Sequence, residues 1–415
     1  MPTAAEVSAH NSSESAWTVI RGNVYDITEY AQEHPGGSKL LLREAGKDAT
    51  KAFESNHAPS ILEQLPESAN RGPLVGSNAS LLSHRSPRDQ RQAAIDAADY
   101  EKIREAKKRQ PRLRSILNLE DFEKVFRTGV IPTAAAEFFA GGAEDEATLL
   151  ANRLAFKRYW FNARVLRRVD AVDPSTTILG NCKLAMPLIC SGVGNTFQSG
   201  NNQIDICLTR ALGKMGIAHM VSTFATTPLP QLAKQKTNPK QVHFFQLYVN
   251  KDHDAAVALI RKNIQAGAKA IFVTVDVPQI GNRERDRRLH DRADAPVNWS
   301  EEESSWVDEE SKNAVDPDGL EASGGRGSQA AAVSSSDRDL NWDDFVWLQE
   351  AAGTVPIVIK GIQSVEDACI AAEKGVKAIV LSNHGARQLD YARAPMDVLW
   401  DLRQQRPDVF SKLEV

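Results

Sequence analysis

The chain has 415 residues, a formal net charge of -4 with acidic and basic residues interspersed, and four cysteines. Its length exceeds one ordinary domain and supplies ample core, so two domains are expected. The mixed charge argues against a nucleic-acid surface, and no apolar run approaches the roughly 18 to 20 residues of a membrane span. Cys182, Cys190, Cys207 and Cys369 show no C-x-x-C spacing and lie among apolar neighbours, so they read as reduced, buried thiols. Residues 1–16 hold Glu6 and Glu14 but no Lys or Arg, unlike an Arg-rich presequence. The expected location is cytoplasmic, with the mitochondrial intermembrane space as the alternative.

Trp17 to Asp26 alternates around Gly22-Asn23 and predicts two short strands joined by a tight turn. A Glu-His-Pro-Gly-Gly turn follows at Glu33 to Gly37, then an apolar helical stretch from Ser38 to Ala45, then a second histidine, His57, before Ala58-Pro59. Pro35 stops a helix from running through the turn, and the glycines let backbone approach a flat, bulky group. Two histidines held this way can supply both axial ligands of an iron porphyrin. The segment from Ala16 to Ser77 resembles the cytochrome b5-like haem domain. That resemblance implies haem b ligated by His34 and His57, and six-coordinate iron suits electron transfer rather than oxygen chemistry. Residues 78–116 read as a linker with some helix, because Lys, Arg, Glu and Ala dominate Arg88 to Arg109 with few apolar anchors.

From residue 117 onward, apolar runs alternate with helical segments. The runs are Pro187 to Ser191, Ala218 to Thr223, Phe244 to Val249, Ala270 to Asp276, Pro356 to Gly361 and Ala378 to Asn383; helical periodicity marks Ile204 to Lys214, Asp254 to Ala266 and Ser364 to Lys374. This alternation predicts a parallel sheet, with a (β/α)8 barrel as its commonest form at this size. A doubly wound sheet is the alternative, but no G-x-G-x-x-G follows any strand. Ser222, Gln246, Tyr248, Thr274, Asp276, Lys360, Ser382 and His384 all fall near the C-terminal ends of these runs, the catalytic face of a barrel. His384 can take a proton near neutral pH, and Arg387 can hold a carboxylate in a two-pronged grip. A base beside a carboxylate clamp suits a small acid oxidised at its α-carbon.

The segments Gln246 to Asn250, Val273 to Pro278, Gly281 to Glu284, Ile357 to Gly361 and Ser382 to Asp390, in this order, resemble the FMN-dependent 2-hydroxy acid dehydrogenases and oxidases. With the haem segment in front, the arrangement is similar to the flavocytochrome L-lactate dehydrogenases of the cytochrome b2 type. The resemblance implies that an L-2-hydroxy acid is oxidised to the 2-oxo acid, electrons passing from FMN to haem b and on to an external acceptor, for which a c-type cytochrome is a candidate. By the same resemblance, His384 takes the substrate hydroxyl proton, Asp276 pairs with the imidazolium, Arg387 holds the carboxylate, Tyr248 bonds the substrate and Arg283 borders the site. Ser222, Gln246, Thr274, Lys360 and Ser382 would contact the flavin, with Lys360 near the edge where negative charge accumulates. A homo-oligomer is left open, and no nucleic-acid or membrane partner is expected. A haem-only electron-transfer protein, or an inactive remnant that does not retain FMN, is the rival reading.

Three departures from the family pattern bear on these expectations. Phe138 stands where a tyrosine hydroxyl is usual, Ser191-Gly192-Val193-Gly194-Asn195-Thr196 replaces the usual turn after the first barrel strand, and Ala386 replaces the second glycine of a Gly-Gly pair. The last is expected to be mild if its φ is negative. The Ser-, Gly- and acid-rich stretch between Glu284 and Leu340 reads as a solvated loop, and Asn341 as the cap of the helix after it. Lys412 to Val415 reads as the entry to a seventh strand, so the barrel is expected to be incomplete, with strands seven and eight missing or partial.

Overall fold

The computed structural model describes residues 1–33, 41–42, 44–50, 53, 62, 65–75, 87–199, 201, 203–290 and 336–415. It divides into two compact units, one mainly Met1–Ala140, the other mainly Gly141–Thr196, Asn202–Glu284 and Ser335–Val415.

The first unit holds an antiparallel sheet of β1 (Asn11–Ser12), β2 (Ser15–Ile20), β3 (Asn23–Asp26) and β4 (Asn70–Pro73), in that order. The predicted hairpin forms, but its turn centres one residue early, on Arg21 and Gly22, which both have positive φ, so that Ile20 pairs with Asn23. Positive φ at both central residues matches the twist of the flanking strands. Ala16, Ile20, Tyr25, Ile27, Ala45, Ala49 and Phe53 form the core, joined by Leu41, Leu42, Leu62 and Leu65. A second cluster joins Val7, of the helix Ala4–Ala9, to Val19 and Val24. Residues before the expected start at Ala16 are therefore part of this module. Further along, Asp99 of the helix Pro87–Lys108 accepts from the backbone N–H of Thr133 at 3.0 Å and its hydroxyl at 2.9 Å. One of the orphan backbone donors at the start of the helix Thr133–Ala140 is thus satisfied from outside it.

In the second unit six strands lie parallel: β7 (Ile189–Cys190), β8 (Ala218–Ser222), β9 (His243–Leu247), β10 (Ile271–Thr274), β11 (Ile357–Ile362) and β12 (Ala378–Leu381). Each overlaps one of the six predicted runs, and the sheet is a curled half-barrel. Side-chain alternation explains its two faces. Val221, Phe245, Leu247, Ile271, Val273, Ile357 and Ile359 pack with Ala256, Ile260, Leu348 and Ala368 of the helices. Met220, Phe244, Phe272 and Val358 pack the other way, against Cys182 and Leu184. These last two come from β6 (Cys182–Leu184), which forms a hairpin with β5 (Thr176–Ile178) that the sequence reading missed. Burying each Leu, Ile or Phe contributes about 1.5 to 3 kcal/mol, so both faces hold the sheet.

Parity then fixes the site. Ser222, Gln246, Thr274 and Lys360 lie two residues beyond Met220, Phe244, Phe272 and Val358, so they share the non-helix face at its C-terminal end. Beyond β12, Ala378 makes an isolated parallel bridge with Glu414, where a seventh strand was expected to begin. Asn341 caps the turn Trp342–Asp344 ahead of the helix Phe345–Ala352, as its sequence context predicts. Residues 291–335 of the long polar stretch lie outside the described residues. Cys182 and Cys369 are buried and Cys190 is half-buried, but Cys207 is exposed, contrary to expectation, on the solvent side of the helix Ile204–Met215. Among the described residues no helix is long and apolar enough to cross a membrane.

Candidate active site

The chemistry gathers where β8 to β12 end. His384 Nδ1 lies 2.9 Å from Asp276 Oδ1, and His384 Nε2 lies 3.3 Å from the Tyr248 hydroxyl. The Asp276 side chain is fully buried, and its other oxygen faces Lys360 Nζ at 3.7 Å. Bonding to a carboxylate puts the ring proton on Nδ1 and leaves the Nε2 lone pair for chemistry.

The electrostatics follow from burial. Burial lowers the His384 pKa, with Lys360 and Arg283 acting the same way and Asp276 opposing them. For Asp276 burial raises the pKa, but the His384 hydrogen bond and the Lys360 charge outweigh it and the net shift is downward. Burial pushes Lys360 down and Tyr248 up. The result is a neutral imidazole beside a carboxylate, with the carboxylate held ionised by a cation.

Backbone strain aims the base. His384, Gly385 and Ala386 all adopt left-handed φ, of 57°, 66° and 64°. Ser382 Oγ accepts from the His384 N–H at 3.0 Å, and Asn383 Oδ1 accepts from the Ala386 N–H at 3.0 Å. The condition on Ala386 is therefore not met: its φ is positive, where a side chain costs about 1 to 2 kcal/mol, and its carbonyl instead accepts from Ala143 N–H at 2.8 Å. Asn383 is tied to Asn152 by reciprocal amide bonds of 3.0 and 2.8 Å. Asp390 accepts from Ala147 N–H at 3.2 Å and Thr148 N–H at 2.8 Å, capping the helix Ala147–Ala155 from 242 or more residues away.

The other expected residues converge on the same unit. Ser222 Oγ donates to Gln246 Oε1 at 3.0 Å and Gln246 Nε2 donates to Thr274 Oγ1 at 2.8 Å, giving a buried polar row across three strands. Arg387 Nη1 donates to the Gly141 carbonyl at 2.9 Å, and buried Arg283 Nε donates to the Arg387 carbonyl at 3.3 Å. Phe138 is buried in the first unit, edge-on to Phe139. His34 and His57 lie outside the described residues.

Sequence reasoning missed several supports. Gly361 has φ of 120°, and a Cβ there would lie 2.7 Å from Asp276 Cβ and Cγ, so only glycine lets Asp276 pack beside β11. A strand-interior glycine at the end of an apolar run was the available signal. Asn152, Asp205 and the capping role of Asp390 carry no spacing signal, because their partners are distant in sequence.

The site suits the ring system of a flavin. Buried donors and acceptors at Ser222, Gln246 and Thr274 form one edge, and Lys360 supplies a cation. Comparison with known proteins agrees. Residues 128–415 match the FMN-dependent dehydrogenase family, and residues 3–79 match the cytochrome b5-like haem/steroid binding domain. The chain is 34% identical to an L-lactate dehydrogenase (cytochrome) of Wickerhamomyces anomalus, over 95% of this chain and 63% of that protein. It is also 34% identical to the Saccharomyces cerevisiae L-lactate dehydrogenase (cytochrome), over 99% of this chain and 66% of that protein. This chain thus spans slightly under two thirds of the length of each of these relatives. A solved structure of a double mutant of flavocytochrome b2 with pyruvate bound covers 77% of this chain and 72% of its own, with 31% identity and a TM-score of 0.64. The chain belongs to the FMN-dependent dehydrogenase family and carries a cytochrome b5-like domain ahead of that region.

Proposed function

We propose that this protein oxidises an L-2-hydroxy acid, lactate-like in size, to the 2-oxo acid, and delivers the electrons through haem b to an external acceptor such as a c-type cytochrome. The observation that carries the reading is His384 held between Asp276 and Tyr248, 2.9 and 3.3 Å away. Bound FMN supplies the two-electron acceptor for the α-hydrogen, and haem b a one-electron relay. Arg387 fixes the substrate carboxylate, and Arg283 adds positive charge beside it. His384 Nε2 takes the hydroxyl proton, and Asp276 stabilises the imidazolium as it forms. Ser222, Gln246, Thr274, Ser382 and Lys360 would hold the flavin ring. In this reading the parallel sheet belongs to a (β/α)8 barrel and His34 and His57 ligate the haem iron.

The rival, a haem-only carrier with a decayed barrel, sits badly with a buried Lys360, Asp276 and His384 cluster. Burying charge costs several kcal/mol, which a barrel without a catalytic task has no reason to maintain. Anaerobic mixing with L-lactate tests the reading, by following the bleaching of flavin absorbance in one turnover. His384→Gln should keep flavin bound and slow that step by about 10²-fold or more. Unchanged bleaching would remove His384 from its role.

A further inference from the structure

The helix Ile204–Met215 brings a buried carboxylate to the turns after β7 and β8. Asp205 is 3% exposed. Its Oδ1 accepts from Thr196 Oγ1 at 3.0 Å and its Oδ2 accepts from Thr227 N–H at 2.8 Å, while Thr196 and Thr226 share a 2.8 Å hydroxyl contact. One carboxylate thus joins two turns that have no β-ladder between them.

We infer that Asp205 is a positioning residue for the substrate-side wall of the site, acting through Phe224 on Tyr248. This rests on the proposed role of Tyr248 and His384. The path is continuous. Thr196 follows Asn195, whose left-handed backbone (φ 56°) donates from its N–H to the Phe224 carbonyl at 2.8 Å. Phe224 lies two residues before Thr226, and its ring stacks on Tyr248 with centroids 5.0 Å apart and planes 18° apart. The fit of these turns is close, since a Cβ at Gly194 would lie 2.9 Å from Phe224 Cβ. Tyr248 then meets His384 Nε2 at 3.3 Å. Removing the carboxylate frees both turns together, which frees the Phe224 ring and the tyrosine stacked on it. Burial raises the Asp205 pKa while the bonds from Thr227 and Thr196 oppose the rise. A hydrogen-bond acceptor at this position is therefore what the turns require, whether or not it is ionised.

The test compares Asp205→Ala and Asp205→Asn in the full chain with the parent. Asn keeps an oxygen for the Thr227 N–H and offers its NH2 to Thr196, so it should rescue. In the alanine variant, amide exchange at Asn195 and Thr227 should speed up by about tenfold or more while Ile271–Thr274 stays protected, because a local opening is released rather than global unfolding. The His384 ring resonances should shift in the same variant. The asparagine variant should restore both. Retained protection at the turns, equal acceleration in β10, or unmoved His384 resonances would each overturn the inference. Failure of the lactate reaction with these readouts intact would count against the proposed function alone.

Discussion

His384 Nδ1 and Asp276 Oδ1 lie 2.9 Å apart although 108 residues separate them in the chain. The carboxylate fixes the imidazole tautomer and favours its charged form, while burial lowers the His384 pKa below its ordinary 6.5. Neutral His384 is therefore the resting form at neutral pH, ready to accept a proton. Because the proposed reaction needs the unprotonated base, kcat/KM should be flat near neutrality and fall as pH drops through the His384 pKa, below 6.5. An acid limb centred above 6.5 would show that another group controls it.

Asp276→Asn removes the charge that offsets the imidazolium and leaves Lys360 buried without its 3.7 Å partner. We expect flavin reduction to slow by about 10²-fold or more, as for loss of the orienting carboxylate of a base. Stability should fall by about 3 kcal/mol, the cost typical of breaking a buried pair. Stopped-flow flavin absorbance and urea unfolding check the two effects, and a normal rate would detach the pair from catalysis.

Gly361 controls whether that carboxylate can be where it is. It forms a bulge in β11, where the pairing with β12 skips from Lys360 to Ile362. A methyl group at Gly361 would meet Asp276 Cβ and Cγ at 2.7 Å, in a backbone conformation with φ of 120° that side chains rarely adopt. Overpacking and backbone strain together should cost Gly361→Ala about 2 to 4 kcal/mol. Asp276 should be displaced with it. Thermal unfolding would report the loss, and a His384 ring titration would report the broken contact. A folded, fully active alanine variant would contradict the packing argument.

The sequence made parts of this legible and hid others for physical reasons. Six parallel strands could be found because strands buried on both faces are written as continuous β-branched and aromatic runs, such as Ile271 to Thr274. The residues at their C-terminal ends were readable for the same reason, since each follows a run that ends abruptly. The β5 and β6 hairpin stayed hidden because its strands are three residues each, too short to establish alternation. Ala386 looked tolerable because residue type does not reveal φ, and only the left-handed run through His384 and Gly385 shows its strain. The Asn152–Asn383 pair and the reach of Asp390 to Thr148 are tertiary contacts between polar residues of the kinds common in surface loops.

Asp390 offers a test of one such contact. It takes the N–H groups of Ala147 and Thr148, which the helix leaves without acceptors because Glu146 makes no side-chain cap. Asp390→Ala should destabilise the protein by about 1 kcal/mol, the usual worth of a helix cap. Amide exchange within Ala147–Ala155 should accelerate first, and because Asn152 lies in that helix, the Asn383 contact beside His384 should weaken too. Equal exchange in parent and variant would show that water replaces the carboxylate without loss.

His219 and His243 make the unit sensitive to acid without taking part in the site. Both are buried in β8 and β9, and their rings meet edge to face with centroids 5.9 Å apart. His219 Nδ1 shares a 3.0 Å hydrogen bond with Thr209 Oγ1, whereas both ring nitrogens of His243 are buried without a hydrogen-bond partner among the described residues. Burial lowers their pKa values to about 4 and about 3, from 6.5. For each base the folded value lies below the unfolded one, so between 6.5 and the folded pKa the unfolded chain binds more protons. Stability is therefore intact above 6.5 and falls as pH decreases toward 4, by up to about 1.4 kcal/mol per pH unit for each histidine. His243→Leu puts an apolar side chain of similar size in the strand and removes two unsatisfied polar atoms. The variant should be more stable at neutral pH, by about 1 to 3 kcal/mol. Its loss of stability on acidification should be shallower by one histidine's share. Urea midpoints measured from pH 7.5 to 4.5 would show both, and parallel curves for parent and variant would mean that His243 is not the buried neutral base assigned to it.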